Sequence, residues 1–382
     1  MSGLSEAAVA ARSGRLGRVR ERMAAVGVDA LLLSHGADLP WLTGYEAMPL
    51  ERLTMLVVRR SGEPVLVVPE LEAPRVAAVG DLFVLRPWSE GEDAVEVVAD
   101  LLAPVRTGVL AVSDRAWASS VLALWERLPG AQWRPASEVT GPVRARKDDA
   151  ELAALRAAAA AADRVVTRLA EGEVPLLGRR ESEVAADLSR LLVEEGHQRV
   201  NFAIVGSGPN AASPHHEAGE RRIGASETVV CDIGGVLALP GDVGYCSDIT
   251  RTVVVGDVPD EVRRCYEVLR DAQEAAVRAA TAGTATAAVD GVARAVITEA
   301  GYGPCFIHRT GHGIGIEEHE DPYLVAGDDT VLAPGHAFSV EPGIYVAGRF
   351  GMRLEDIVVV DDAGRPERCN RVDHGLVELE PR

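Results

Sequence analysis

One short stretch of the chain holds three of its nine histidines, separated by glycines and acids. It runs from His308 to Pro322 and reads His-Arg-Thr-Gly-His-Gly-Ile-Gly-Ile-Glu-Glu-His-Glu-Asp-Pro. Because each glycine costs about 1 kcal/mol in a helix, three glycines around His312 predict an extended segment that passes close to other atoms. We interpret His312 as a metal ligand and expect His319 to lie within reach of a substrate.

Four acidic residues elsewhere in the chain supply partners for a metal-binding histidine. Each adjoins a run of β-branched or aromatic residues, and they are Asp232, Asp248, Glu341 and Glu355. Buried carboxylates raise one another's pKa and lose their charge unless cations neutralise them. Four carboxylates carry four negative charges, which two divalent ions balance while His312 stays neutral. The sequence therefore predicts two metal ions rather than one.

The mixed nitrogen and oxygen ligands limit the choice of metal and chemistry. Such a set suits Mn²⁺, Co²⁺, Fe²⁺ or Zn²⁺, of which we favour Mn²⁺. Two ions about 3.5–4 Å apart lower the pKa of a shared water towards neutrality, which supplies a nucleophile for hydrolysis. Hydrolysis also needs hydrogen-bond donors for the developing oxyanion, and His319 and His215 are the candidates.

Two polar residues on the predicted strands stand next to the acids. Arg353 precedes Glu355 by two positions, and Thr250 follows Asp248 by two. Since alternate residues of a strand share a face, each is a candidate to orient its neighbouring carboxylate. The alternative is that both are ordinary strand residues on a polar face.

Composition and charge exclude several functional classes. The 382 residues are enough for two domains, and the net charge of −19 disfavours binding to nucleic acid phosphates. The sequence contains no run of about 18 apolar residues, which a membrane-spanning helix would need. The five cysteines form no CxxC pair, and the first residues do not resemble a signal peptide. We therefore expect a cytoplasmic protein without nucleic acid or membrane partners.

The pattern of predicted elements changes near Ser137–Lys147, where Gly141-Pro142 and three basic residues interrupt the apolar periodicity. Residues 1–142 alternate strands and helices after an irregular first dozen residues, which is typical of an α/β domain. They contain no cluster of His, Asp and Glu, so we expect a scaffold, a dimerisation surface or a lid. Residues 143–382 form the second predicted domain.

In the second domain, two successive groups contain two helices followed by three strands. The first group is a helix from Asp148 or Asp149 to Leu169, a helix at Glu181–Glu195, and strands at Asn201–Val205, Thr228–Gly234 and Tyr245–Val255. The second is helices from Pro259 to Thr281 and from Thr284 to Ala300, and strands at His308–His312, Ala337–Glu341 and Met352–Val360. This repetition predicts a duplicated domain with a site between its halves.

Five motifs together resemble the metal signature of the pita-bread metallopeptidases, a superfamily that includes methionine aminopeptidase, aminopeptidase P and prolidase. They are Asp232-Ile-Gly234, Tyr245-Cys-Ser-Asp-Ile-Thr-Arg-Thr252, Thr310-Gly-His-Gly-Ile-Gly315, Val340-Glu-Pro-Gly343 and Arg353-Leu-Glu-Asp356. The resemblance covers about residues 145–382, and the N-terminal part resembles the creatinase-like domain of aminopeptidase P and prolidase. It implies an α+β fold in which a smaller creatinase-like α/β domain precedes a duplicated pita-bread domain.

The resemblance also implies roles for individual residues. Five of them would bind two metal ions, with the second and the last bridging: Asp232, Asp248, His312, Glu341 and Glu355. We assign catalytic roles to His215, His319 and Glu341, the last as the proton-shuttling acid, and substrate binding to His308 and Arg353. The resemblance further implies a homodimer or a homotetramer.

The implied reaction is hydrolysis of Xaa-Pro bonds at the N-terminus of small peptides, as in an Xaa-Pro aminopeptidase. The alternatives are an Xaa-Pro dipeptidase, an amidase specialised for a non-peptide substrate, and a non-catalytic binding protein on the same fold. An aminopeptidase leaves the pocket beyond proline open, whereas a dipeptidase closes it with a carboxylate-binding group. Arg309, Arg349 and N-terminal-domain residues of a partner subunit are candidates for that group.

One feature departs from the family pattern. Fifteen residues separate Asp232 from Asp248, so the hairpin over Gly234–Gly244 is longer than usual. Its predicted tip is Leu239–Asp242. If the extra residues project over the site, they restrict substrate length, and if they project away, they have no effect on it.

Overall fold

The computed structural model describes residues 6–76, 82–240 and 242–381, which form two compact units. The chain divides after Arg144, and a short segment at Leu239–Val243 belongs to the first unit. In the described part of the chain, no helix is both long and apolar enough to cross a membrane.

The first unit is built around one six-stranded sheet with the order β4-β3-β2-β1-β5-β6. Its strands are β1 Ala30–Leu33, β2 Met55–Arg59, β3 Val65–Pro69, β4 Val84–Trp88, β5 Val109–Val112 and β6 Gln132–Pro135. Its helices are α1 Glu6–Val26, α2 Asp38–Thr43, α3 Ala73–Val76, α4 Ala94–Leu101, α5 Ala118–Arg127 and α6 Ser137–Ala145. Both parallel and antiparallel neighbours occur, as expected of an α/β domain with one hairpin.

Two segments that the sequence predicted to be irregular are helical. The described part of the first dozen residues belongs to α1, which goes on to bury Val19 and Met23 fully. The segment around Pro142 forms α6 although proline has no N–H to donate to the carbonyl of Glu138. The side chain of Arg22 donates to that carbonyl instead, at 3.3 Å, which compensates for the missing backbone bond.

The second unit contains four long helices and eleven strands in the described residues. The helices are α7 Asp149–Ala170, α8 Glu181–Glu194, α9 Asp260–Ala279 and α10 Thr286–Glu299. The strands are β7 Arg199–Ser207, β8 Thr228–Ala238, β9 Gly244–Val255, β10 Gly311–Gly313, β11 Glu320–Leu324, β12 Ala337–Val340, β13 Gly343–Val346, β14 Phe350–Arg353, β15 Asp356–Val360, β16 Pro366–Arg368 and β17 Val377–Leu379.

The strands of this unit form two principal sheets, each with its own helix pair. One sheet has the order β17-β9-β8-β7, and the other has the order β11-β10-β12-β15-β16. Helices α7 and α8 share a hydrophobic core with the first sheet, and α9 and α10 share one with the second. The two halves that the sequence pattern predicted are therefore present.

Two predicted strands differ from the observed ones at positions that matter for the site. Of the predicted strand at His308–His312, only Gly311 and His312 belong to an observed strand, which is β10. The predicted strand at Met352–Val360 is two strands, because β14 pairs with β13 whereas β15 pairs with β12. Leu354 and Glu355 lie at this change of partner, and the Glu355 N–H donates to the Thr250 carbonyl at 3.2 Å. Glu355 therefore belongs to neither ladder.

The hairpin between β8 and β9 is more regular than expected. The ladder continues to the pair Ala238–Gly244, and the described residues Leu239, Pro240, Asp242 and Val243 belong to the loop beyond it. Within it, the Asp242 N–H donates to the Leu239 carbonyl at 3.0 Å. Most of the extra residues therefore lengthen the two strands.

Candidate active site

Two adjacent strands bring the first two acids to one face of a sheet. In the β8–β9 ladder, Asp248 lies opposite Gly234, and Asp232 lies two residues before that glycine. Because directly opposed residues and alternate residues share a face, the two carboxylates point to the same side.

The glycines around His312 are required by the close approach of neighbouring chains. A Cβ atom at Gly311 would overlap the backbone of Ser339, and a Cβ atom at Gly313 would overlap the backbone of Asp321. The expected close passage of this segment is thus present, and it lets β10 insert between β11 and β12. His312 enters the site from the second sheet, opposite the acids of the first.

The predicted ligands converge on one cavity. Ligand atoms of Asp248, His312 and Glu355 all lie within 4.8 Å of one another. The Nε2 atom of His312 is 3.7 Å from Asp248 Oδ2 and 3.2 Å from Glu341 Oε1. Together with Asp232, these residues line a cavity of about 520 Å³. All five predicted ligands are therefore in one place.

The electrostatics of this cluster point to missing positive charge. Burial, and then the charges of neighbouring acids, raise the pKa of Asp248 and of Glu355 well above their usual values. Burial also raises the pKa of Asp232. For Glu341, burial opposes ionisation, but the hydrogen bond and charge of His312 outweigh it and lower its pKa to about 2. Without a cation, the cluster cannot keep all its carboxylates ionised.

One buried oxygen identifies where a cation would fit. Asp232 is only 7% exposed, and its Oδ1 atom has no hydrogen-bond partner anywhere in the described residues. A buried acceptor that is left unpaired costs about 1–3 kcal/mol, so this oxygen needs a partner such as a bound cation. Four carboxylates and one imidazole are a donor set that Mn²⁺, Co²⁺, Fe²⁺ and Zn²⁺ accept. The residues present therefore fit divalent metal ions.

Arg353 connects three parts of the site. Its side chain is buried and forms an ion pair with Asp232. Its Nε donates to Thr250 Oγ1 at 3.0 Å, and Thr250 Oγ1 donates to Glu355 Oε2 at 2.7 Å. Both residues thus orient carboxylates, but not as predicted. Arg353 contacts Asp232 and reaches Glu355 through Thr250, while Thr250 serves Glu355 rather than Asp248.

His308 is bonded at both ring nitrogens. Its Nδ1 is 2.6 Å from the Arg309 carbonyl, and its Nε2 is 2.9 Å from the hydroxyl of Tyr345. Arg353 Nη1 donates to the same hydroxyl at 3.0 Å, so the Tyr345 hydrogen points to His308 and His308 carries its proton on Nδ1. His308 also lines the cavity. Its predicted contact with substrate stays a prediction.

Tyr345 is a site residue that the sequence analysis missed. Burial raises its pKa to about 12, so it stays a hydrogen-bond donor at neutral pH. The signal available in the sequence was its position four residues after Glu341, in the strand that begins at Gly343. Nothing in that spacing indicates that Arg353 and His308 would meet at its hydroxyl.

His319 lies against His312 with its ring centroid 3.9 Å away. Its Nδ1 is 3.1 Å from Arg309 Nη2, and because a guanidinium only donates, Nδ1 accepts and Nε2 carries the hydrogen. Burial, followed by the charges of His312 and Arg309, lowers its pKa to about 4. His319 is therefore a neutral donor at physiological pH, as an oxyanion-binding role requires.

His215 lines the cavity. It lies on a loop that is stabilised by hydrogen bonds to one buried acid. Glu181 is completely buried, and its carboxylate accepts from the Ser207 hydroxyl at 2.7 Å and from Asn210 Nδ2 at 3.1 Å. It also contacts His216 Nε2 at 2.8 Å. The residue next to His215 is thus held by this carboxylate, although Glu181 was not identified from the sequence.

The two arginines proposed as carboxylate-binding groups differ in position. Arg309 lines the cavity, and its guanidinium stacks 4.6 Å from the ring centroid of Tyr323. Arg349 is not among the described residues that line it. Its side chain is 56% exposed and pairs with Glu261 at 2.6 Å. The candidacy of Arg349 was therefore wrong.

Comparisons with known proteins agree with this geometry. The chain is 43% identical to the probable dipeptidase PepE of Mycobacterium tuberculosis, over 95% of each chain. It is 34% identical to the Xaa-Pro dipeptidase of Lactobacillus delbrueckii subsp. lactis, over 88% of this chain and 92% of that protein. The crystal structure of dipeptidase PepE from Mycobacterium ulcerans superposes with a TM-score of 0.90 at 41% identity, covering 97% of this chain and 99% of that one.

Family models match both parts of the chain. Residues 15–146 match the creatinase/prolidase N-terminal domain, and residues 153–362 match metallopeptidase family M24. The predicted fold, a creatinase-like domain followed by a pita-bread domain, is confirmed. The chain belongs to metallopeptidase family M24 and is a metallopeptidase with a creatinase-type N-terminal domain.

Proposed function

We propose that this protein is an Xaa-Pro dipeptidase that acts on small proline-containing peptides with the help of two divalent metal ions. The observation that carries the proposal is a cavity that combines the ligand cluster around His312 with a cationic wall at Arg309. The relatives named dipeptidase and Xaa-Pro dipeptidase favour this alternative over the aminopeptidase that the sequence analysis put first.

Each residue of the site would have a separate role in amide hydrolysis. Bound divalent ions would supply a Lewis acid for the scissile carbonyl and lower the pKa of the attacking water. The Nε2–H of His319 would donate to the carbonyl oxygen as negative charge develops on it. Glu341 would hold the proton released by water and pass it to the leaving proline nitrogen. Arg353 would keep Asp232 oriented throughout.

Arg309 supports a dipeptide over a longer substrate. A dipeptide ending in proline carries a carboxylate two bonds from the proline nitrogen, close to the scissile bond. A guanidinium binds a carboxylate through two parallel hydrogen bonds, and Arg309 uses Nη2 for His319 in the present arrangement. A longer peptide has no charge at that position, so it would leave the arginine without an anionic partner.

We expect the chelated enzyme, after addition of Mn²⁺, to hydrolyse Gly-Pro at least about tenfold more efficiently than Gly-Pro-Ala, because a charge-assisted bond contributes about 1.5–3 kcal/mol. The values of kcat/KM should be compared for Gly-Pro, Gly-Pro-Ala and Gly-Pro-amide, and Co²⁺ and Zn²⁺ should be tested in parallel. A preference for the tripeptide would show an aminopeptidase and contradict the proposal.

Replacing Arg309 by Met should abolish the advantage of Gly-Pro over Gly-Pro-amide. The matched control is Arg349→Met, which removes an exposed arginine outside the cavity and should preserve that advantage. If Arg309→Met lowered kcat/KM for both substrates by the same factor, the arginine would serve His319 alone and the carboxylate assignment would fail.

A separate prediction concerns the loop that carries His215. Glu181→Gln replaces one of two acceptor oxygens by a donor, so the bond to His216 Nε2 or the bonds to Ser207 are lost. We expect kcat/KM for Gly-Pro to fall about 10- to 100-fold, since hydrogen bonds to charged groups contribute about 1.5–3 kcal/mol. Glu183→Gln, on the exposed side of the same helix, is the control.

The readout that separates positioning from general destabilisation is a double-mutant cycle with His215→Ala. If Glu181 acts by placing His215, the effect of Glu181→Gln should shrink several-fold in the His215→Ala background. Fully additive effects would mean that Glu181 influences activity by another route.

A further inference from the structure

A fifth carboxylate lines the cavity outside the metal cluster. Glu318 is half-buried in the cavity wall, and it is not part of the group formed by Asp248, His312 and Glu355. Within the three ranges that the structure describes, its carboxylate has no hydrogen bond and no ion pair. The four other lining carboxylates all have partners within the site.

The chain segment that carries Glu318 is fastened on both sides. Before it, the Gly315 carbonyl accepts from the Cys246 N–H at 2.8 Å, and the Ile316 carbonyl accepts from the Cys246 thiol at 3.3 Å. After it, Glu320 forms an ion pair of 2.6 Å with Lys147, whose side chain is 1% exposed. The wall position of Glu318 therefore belongs to an anchored segment rather than to a free loop.

The cavity around this acid offers apolar surface. Phe202 and Ile204 alternate along β7, so they share a face, and both line the cavity together with Pro214. A cavity whose wall holds both an unpaired carboxylate and apolar side chains is complementary to a cation at the end of an aliphatic stem. The stem packs on the apolar groups while the charged end reaches the acid.

We propose that Glu318 binds the cationic side chain of the substrate's first residue, so that the enzyme prefers Lys-Pro and Arg-Pro. This inference rests on the proposed function, because it assigns the Xaa side of an Xaa-Pro dipeptide. The only other cation in such a substrate is its α-ammonium group. That nitrogen is one carbon from the scissile carbonyl and must stay close to it, whereas a long cationic side chain can reach a carboxylate elsewhere on the cavity wall, such as Glu318.

The test compares Lys-Pro with norleucyl-proline, which has the same aliphatic stem without the charge. At low ionic strength, kcat/KM for Lys-Pro should exceed that for norleucyl-proline by roughly tenfold, the factor expected of one charge-assisted bond. Glu318→Gln should bring the ratio close to one. Glu317→Gln removes the neighbouring charge, which is not among the described lining residues, and should keep the ratio.

Product inhibition gives a second readout that does not depend on turnover of a lysine-containing dipeptide. Free lysine should inhibit hydrolysis of Gly-Pro more strongly than norleucine does, and Glu318→Gln should remove that difference. An unchanged ratio in Glu318→Gln would overturn the inference. If the ratio were unchanged because both dipeptides lost activity equally, Glu318 would bind the α-ammonium group instead. If the metal-loaded wild type hydrolysed none of these dipeptides, Gly-Pro included, the proposed function would fail as well.

Discussion

Replacement of Asp248 by Asn is expected to reduce turnover by at least about 10³-fold, because a metal centre supplies several kcal/mol of transition-state stabilisation and each 1.36 kcal/mol is tenfold in rate. Asp248 is 4% exposed, and its ligand atom lies within 4.8 Å of those of His312 and Glu355. Asparagine has nearly the same shape but carries no charge. The loss therefore reports the charge of this ligand rather than its volume.

The same substitution should stabilise the metal-free protein. Burial and the nearby Glu355 and Asp232 raise the pKa of Asp248 in the folded state above its unfolded value. A group of this kind contributes its full stability below the unfolded pKa, and the contribution is lost as pH rises through the folded pKa. In the presence of a chelator, the wild type should therefore become less stable as pH rises above about 4. Asp248→Asn should show a weaker decline.

Thermal unfolding between pH 4.5 and 8 checks both statements, with and without Mn²⁺. Metal at 100 times its Kd should stabilise the wild type by about 2.7 kcal/mol, and Asp248→Asn should lose most of that increase. Asp257→Asn, exposed on the loop after β9, is the control and should behave as the wild type. A variant of Asp248 that kept a tenth of the activity, or the full metal-induced rise in Tm, would exclude Asp248 as a ligand.

The local sequence was sufficient to predict which acids and which histidine meet in the cavity, because each one interrupts a regular pattern. Asp232 directly follows the apolar run Val229–Cys231, Asp248 precedes the apolar run Val253–Val255 in the same strand, and His312 is enclosed by glycines that no helix would favour. Such contrasts are visible without any knowledge of tertiary structure. The same holds for α7, whose first turn contains the capping box formed by Asp148 and Glu151.

The carboxylate that each orienting residue contacts could not be predicted in this way. Glu181 and Ser207 are 26 positions apart, and Arg353 is 139 positions from the Pro214 carbonyl to which it donates. Such contacts depend on how the sheets and loops pack in the folded chain. The sequence around one residue therefore does not indicate its partner. The strand interruption at Glu355 was missed for the same reason, since both flanking segments favour strands and only their different partners separate them.

The second large effect is expected for Arg353→Lys, which keeps the charge but removes the planar fork. The guanidinium pairs with Asp232 and donates to Thr250, to Tyr345 and to the Pro214 carbonyl at 3.1 Å, next to His215. A lysine ammonium is a point charge on a flexible stem and cannot reach all four acceptors. We expect kcat/KM for Gly-Pro to fall about 10²- to 10³-fold and the free energy of unfolding to fall by about 3 kcal/mol.

Arg349→Lys is the matched control, because it makes the same substitution in the hairpin of β13 and β14 at a site that is 56% exposed. An exposed ion pair contributes about 0–1 kcal/mol, so stability and activity should change little. The measurement is urea denaturation of both variants in chelator, together with kcat/KM after metal addition. If Arg353→Lys lost stability but kept its activity, the arginine would be a structural residue only. A loss of activity at full stability would instead mean that the bonds to Asp232 and Tyr345 serve the reaction directly.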